Sequence, residues 1–132
     1  MKRRIILAAL ALRAFPALAA GLSASDYRYL DAAQVDPKTG IATLVLVIDR
    51  PLEDGLTKPK VRSKMLAYHH WVFIDQKLVK QFPNAQPQRG VRLVILHPNA
   101  KNALGTSVLE QLVGYAKELR FEPATQSLSK EN

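Results

Sequence analysis

Cysteine is absent from all 132 residues. No disulfide can staple the fold, so the apolar core alone must hold it, and thiol catalysis and cysteine-based zinc sites are excluded. The acceptor cysteine of a bacterial lipoprotein is missing for the same reason. Histidine is scarce, with three residues, and none stands in the HxxxH or HxH spacing that turns two rings toward one metal. There is no glycine-rich phosphate loop and no G-x-S-x-G turn, and Gly105-Thr106-Ser107 opens a helix with no lysine beside it. No uninterrupted apolar run approaches the roughly 20 residues that a bilayer-spanning helix demands. Internal repeats and low-complexity segments are missing as well.

Hydrophobic residues make up 48% of the chain, and its length allows one domain with a modest core. The net charge of +8 resembles a nucleic-acid signal, but Lys2, Arg3, Arg4 and Arg13 lie in the N-terminal segment, and without them the balance falls to +4. That is an ordinary solubility charge, which argues against nucleic acid. The densest cationic run, Lys58, Lys60, Arg62 and Lys64, reads as a solvated helix face.

Residues 1–24 read as a secretory signal peptide. Lys2-Arg3-Arg4 is the positive start, Ile5 to Leu12 the apolar run, and Ala17-Leu18-Ala19 a small-x-small cleavage site, with Arg13 a fault in the pattern. The expected location is therefore the bacterial periplasm or outside the cell. Residues 25–123 form the domain, and 124–132 read as a flexible polar tail.

Within the domain, Tyr27 to Asp31 alternates weakly as a strand, and Asp36-Pro37-Lys38-Thr39-Gly40 is a strong turn. Ile41 to Ile48 is β-branched and apolar almost throughout, as in a strand covered on both faces or one with one face covered and a strongly apolar second face. A long helix follows from an N-cap at Thr57. Val61, Met65, Tyr68 and Val72 share its apolar stripe, Leu66, Phe73 and Ile74 widen it, and Lys60, Arg62, Lys64 and Lys77 fall outside. The stripe loses phase near Asp75-Gln76, so the helix breaks there and resumes to Phe82, where Pro83 and Pro87 stop it. Val91 to Leu96 is a second buried strand. Ser107 or Thr106 caps a second helix with Glu110 completing a capping box, and Arg120 to Glu122 is a short last strand. The order ββαβαβ predicts an α+β fold: a small mixed or antiparallel sheet with two helices packed on one face.

Few side chains assemble into chemistry. On a helix the adjacent His69 and His70 point about 100° apart. Glu53-Asp54 is a turn pair rather than an acid/base couple. A metal-assisted hydrolase would have to draw on His69 or His70, His97 and Asp75. The leading expectation is instead a small, non-enzymatic exported binding protein without a cofactor: an inhibitor, an immunity protein or an accessory subunit with a protein partner. Its candidate contact residues are Tyr27, Tyr29 and Trp71 as aromatic anchors and Lys58, Lys60, Arg62 and Lys64 as the charged rim. Loose attachment of that basic run to anionic lipid or lipopolysaccharide is a third expectation.

The chain also resembles a family of small bacterial proteins catalogued only as a domain of unknown function. The resemblance rests on Asp36-Pro37-Lys38-Thr39-Gly40 before the apolar strand, Lys64-Met65-Leu66-Ala67-Tyr68 with Phe73-Ile74, Phe82-Pro83-Asn84-Ala85, the strand to Leu96 with Pro98, and Glu118 to Glu122. It implies the same hairpin, helix, strand, helix, strand layout and no activity. The chain departs from the family pattern in its N-terminal segment and in His69-His70.

Overall fold

The computed structural model describes residues 30–128. The N-terminal signal pattern, Tyr27 and Tyr29 lie outside the described residues. The elements run β1 (Ala32–Val35), β2 (Ala42–Val47), α1 (Thr57–His69), a single π-turn (His70–Ile74), α2 (Lys77–Gln81), a short 3-10 turn (Pro87–Arg89), β3 (Val91–His97), α3 (Ala103–Glu118) and β4 (Glu122–Ser127). The fold is α+β, as its pattern predicts. The four strands lie side by side in chain order, with β1 antiparallel to β2, and β2, β3 and β4 mutually parallel.

The two apolar strands pair in parallel, Leu44 beside Leu93 and Leu46 beside Ile95. Side chains of a strand alternate between faces. Ala42, Leu44, Leu46, Ile48, Val91, Leu93 and Ile95 therefore turn to one side, where Val61, Met65, Tyr68, Val72, Leu78, Val108, Leu112 and Ala116 from the helices meet them in one core. Both helices thus cover one face. Ala32, Val45, Val94 and Leu96 form a second buried cluster on the other face, which explains why these strands are apolar on both sides. Gly40 sits in the β1–β2 turn at φ +78°, and a Cβ there would meet Asn84 O at 2.9 Å. Gln86 N donates to Gly40 O at 2.7 Å, so the turn docks closely on the segment before β3.

Several boundaries differ from the pattern. The first strand among the described residues is Ala32–Val35; of the expected strand Tyr27 to Asp31, residues 27–29 lie outside the described residues, and Asp31 ends the ladder with its side chain. In register the next residue to face Val47 is Leu30, yet Val47 N donates to Asp31 Oδ2 at 2.6 Å. Thr57 is the first residue of α1, not its cap, and its buried hydroxyl donates to Pro51 O at 2.6 Å. α3 starts earlier than expected, capped by Asn102, whose Oδ1 accepts Gly105 N at 3.2 Å. The expected box of Ser107 and Glu110 gives way, since Ser107 Oγ accepts from Gln111 Nε2 one turn on.

The last strand begins at Glu122 and runs past Pro123 to Ser127, into what reads as tail. Pairing with β3 makes a strand of polar residues, and proline is tolerated because β4 is an edge.

The main correction concerns Lys64, placed by its charge on the solvated face. It is buried, 1% exposed, and its Nζ lies 2.6 Å from Asp31 Oδ2. Tyr68, one turn on, donates its hydroxyl hydrogen to Val45 O and accepts Asp31 N, both at 2.9 Å. Burial, with the nearby Asp31 charge second, pushes the Tyr68 hydroxyl well above its ordinary pKa, so it remains a donor at any working pH. Conversely, Leu66 and Ile74 do not widen the buried stripe: they are 41% and 59% exposed.

Breaking a buried ion pair by removing one partner strands the other charge. Lys64→Ala is expected to lower unfolding free energy in urea by about 3 kcal/mol, and Tyr68→Phe by about 1–3 kcal/mol because Val45 O and Asp31 N lose a partner. Combining Lys64→Ala with Asp31→Ala should cost clearly less than the two single losses added.

Candidate interaction surface

Open sheets with parallel strands collect ligands beyond their carboxyl ends. At that end of this sheet stand Arg50 after β2, His97 at the end of β3, Asn99 beyond it and Ser127 at the end of β4. The chain fills much of this space with its own groups. Ser127 Oγ and Asn99 Oδ1 are in close hydrogen-bond contact, and His97 Nδ1 donates to Pro98 O at 2.8 Å. Glu53 reaches from the β2–α1 loop to the start of α3, where its Oε2 accepts Lys101 N at 2.6 Å. A Cβ at residue 105 would collide with that carboxylate, so the glycine makes room for it. The N-terminus of α3, a natural anion position, is thus occupied by the chain's own carboxylate. The Lys101 N–H, helped by Asn102, holds Glu53 below the usual carboxylate range.

His69 lies at the opposite end. Its Nδ1 donates to Leu119 O at 3.0 Å, just ahead of β4, which starts where β3 starts. His97 closes β3 six residues on, about 20 Å along the strand. His69 stacks obliquely on Phe73 with ring centroids 5.2 Å apart, and His70 beside it is exposed. Asp75 is exposed and its N–H donates to His70 O. The set His69, His70, His97 and Asp75 is therefore divided between the two ends of the sheet. Among the described residues no three histidine or acidic side chains come together as metal ligands.

The other candidates lie on the helical layer. Arg62 is exposed, with its guanidinium 4.4 Å above the Tyr115 ring, and Lys58 Nζ donates to Gln111 Oε1 at 2.8 Å, so both tie α1 to α3. Lys60 is half-buried, and Trp71 is half-buried against the core. Lys64 is removed from the candidates by its burial.

Residues 62, 66, 70 and 74 succeed one another at steps of four along one outer line of α1. A π-turn closes this stretch: its bond from Asp75 N to His70 O spans five residues at 2.7 Å, which brings Asp75 over His70 and leaves Ile74 beside that position. The outcome is a line of Arg62, exposed Leu66, exposed His70 and exposed Ile74, with Trp71 at its flank. The exposure of Leu66 and Ile74 escaped the periodicity because both sit on the margin of an apolar arc, where the helix's roll decides the outcome.

Comparison with protein-family models, with curated proteins and with solved structures returned no match. Among the described residues no helix is long and apolar enough to cross a membrane.

The Glu53 contact has a pH signature. A carboxylate with a lowered folded pKa stabilises the fold above its unfolded value and loses that contribution as pH falls through the folded one. The difference in urea midpoint between the parent protein and Glu53→Gln should therefore be greatest at neutral pH and close below about pH 4.

Proposed function

We propose that the protein is a small, non-enzymatic binding module of the bacterial periplasm that holds another protein against the outer line of α1 and its π-turn. An inhibitor, an immunity protein and an accessory subunit all work this way. The observation that carries the reading is the pair Leu66 and Ile74, large apolar side chains left 41% and 59% exposed on one helix line. Arginine and tryptophan, the residue types that dominate binding hot spots, stand beside them as Arg62 and Trp71.

Charge selects the partner. From Thr57 to Gln81 the chain carries Lys58, Lys60, Arg62, Lys64, Lys77 and Lys80 against Asp75 alone. Asp31 neutralises the buried Lys64, while Arg62, Lys77 and Lys80 are exposed. A surface of this sign steers an acidic partner and accelerates association, an effect that weakens with salt. Export is supported by the N-terminal pattern of Lys2-Arg3-Arg4, apolar run and Ala17-Leu18-Ala19.

Leu66→Asp with Ile74→Asp tests the surface without touching the core. The double variant should unfold within about 0.5 kcal/mol of the parent, as surface changes do. Tagged parent protein is expected to retain a stoichiometric acidic protein from periplasmic extract, and the double variant about tenfold less of it, a loss worth about 1.4 kcal/mol. Equal retention by both proteins, or substrate turnover by the purified parent with no retained protein, defeats the reading.

A further inference from the structure

Glycine is favoured one step past the C-terminal cap of a helix, because that position takes a left-handed backbone without steric cost. α3 ends in this way. Arg120 N donates to Lys117 O and Phe121 N to Ala116 O, both at 3.0 Å, and residue 120 stands at φ +73°. Yet the residue is an arginine. A side chain kept where the backbone would prefer none points to a use for that side chain. Arg120 is exposed, and its guanidinium lies 4.5 Å above the Phe73 ring.

Arg62 repeats the arrangement on α1, exposed and 4.4 Å above the Tyr115 ring. In both, the ring takes the flat face of the guanidinium and leaves the N–H donors around its rim open to solvent. Among the described residues neither group has a hydrogen-bond or ion-pair partner. Stacking holds each long side chain in place beforehand, so less freedom is lost when a ligand arrives. Phe73 follows Arg62 by eleven residues through α1 and the π-turn, which sets the two cations about 16 Å apart.

We propose that Arg62 and Arg120 are paired carboxylate receptors, each taking one acidic side chain of the partner protein in a two-pronged contact. The inference rests on the helical binding surface described above and names the groups that recognise its partner. A carboxylate offers two oxygens in the plane that the guanidinium fork matches. Lysines along α1 supply attraction without such geometry. Exposed Glu118 stands between Tyr115 and Arg120 in the chain, so the cations are two separate points. Two discrete acids suit that pattern, whereas an anionic lipid surface suits a continuous basic cluster. A partner helix with acids eleven residues apart spans the same distance.

Three alanine-based helical peptides, with two glutamates four, eleven or eighteen residues apart, provide the probe against the full chain. The peptide with the eleven-residue spacing should bind about tenfold tighter than the other two by fluorescence anisotropy. It should also shift the Nε–H resonances of Arg62 and Arg120 together in NMR spectra. Arg62→Lys and Arg120→Lys keep the charge and lose the fork, and each should weaken this peptide about tenfold. Arg120→Gly separates recognition from folding: its urea midpoint should hold or rise, since glycine suits the backbone there, while binding falls by a similar factor. Failure of all three peptides to bind, equal binding of the three, or full binding by the lysine variants overturns the proposal. So does tighter binding of anionic phospholipid vesicles than of the eleven-residue peptide. If the lysine variants retain the periplasmic partner as the parent does while the Leu66→Asp, Ile74→Asp double variant loses it, the receptors fall and the binding surface stands.

Discussion

A lysine in the core of a small domain has to be answered by a negative charge, and this constraint organises the molecule. Lys64 lies one turn before Tyr68 on the buried side of α1, and both reach the same few atoms at the start of β1. Asp31 supplies the carboxylate to Lys64 and to Val47 N, each at 2.6 Å. Tyr68 joins the remaining loose ends, Asp31 N and Val45 O. Helix, first strand and second strand are tied together through polar groups that would each be costly if left unpaired away from water. Oily contacts alone would let α1 slide or roll on the sheet. Directional bonds at one corner prevent both.

The roll of α1 then decides what faces outward. Drawing Lys64 inward shifts the buried arc of the helix toward the β1 side, so Val61, Met65, Tyr68 and Val72 stay covered while Leu66 turns out. Within the π-turn that follows, Ile74 is exposed as Leu66 and His70 are. Along the other flank, Arg62 over Tyr115 and His69 on Leu119 O fasten α1 to α3. The exposed apolar line is therefore a product of the same corner that fixes the fold.

This chain of cause explains which parts were readable beforehand. The paired strands, their burial on both faces, the stripe of α1 and its break near Asp75 all follow from runs and periods that no single contact can overrule. What escaped were decisions made by one partner residue. Lys64 looks like solvent-facing charge until Asp31, thirty-three positions away, is brought beside it. Asn102 competes with Thr106 and Ser107 for the cap of α3, and the winner depends on Glu53 lying against Gly105. A short last strand ending at Glu122 was legible, but its continuation from Pro123 to Ser127 was not, because those polar residues become a strand only through the ladder that β3 offers. The candidate contacts divided in the same way: Arg62 and Trp71 took their expected places on the helical layer, and Lys64 did not.

The ends and edges of the sheet differ in how completely they are closed. At the carboxyl end of the parallel strands, Glu53 takes the position at α3 that a bound anion would want, and Ser127 and Asn99 satisfy each other. At the amino end, His69, Phe73 and Phe121 pack together, with the Arg120 guanidinium 4.5 Å above the Phe73 ring. β4 guards its edge with a charge and a proline. β1 carries neither device, yet Ala32 and Ala33 are fully buried, and Asp31 fixes the strand's starting point. The carboxylate that answers Lys64 also takes Val47 N, so one side chain both neutralises the buried charge and sets where the β1 ladder stops.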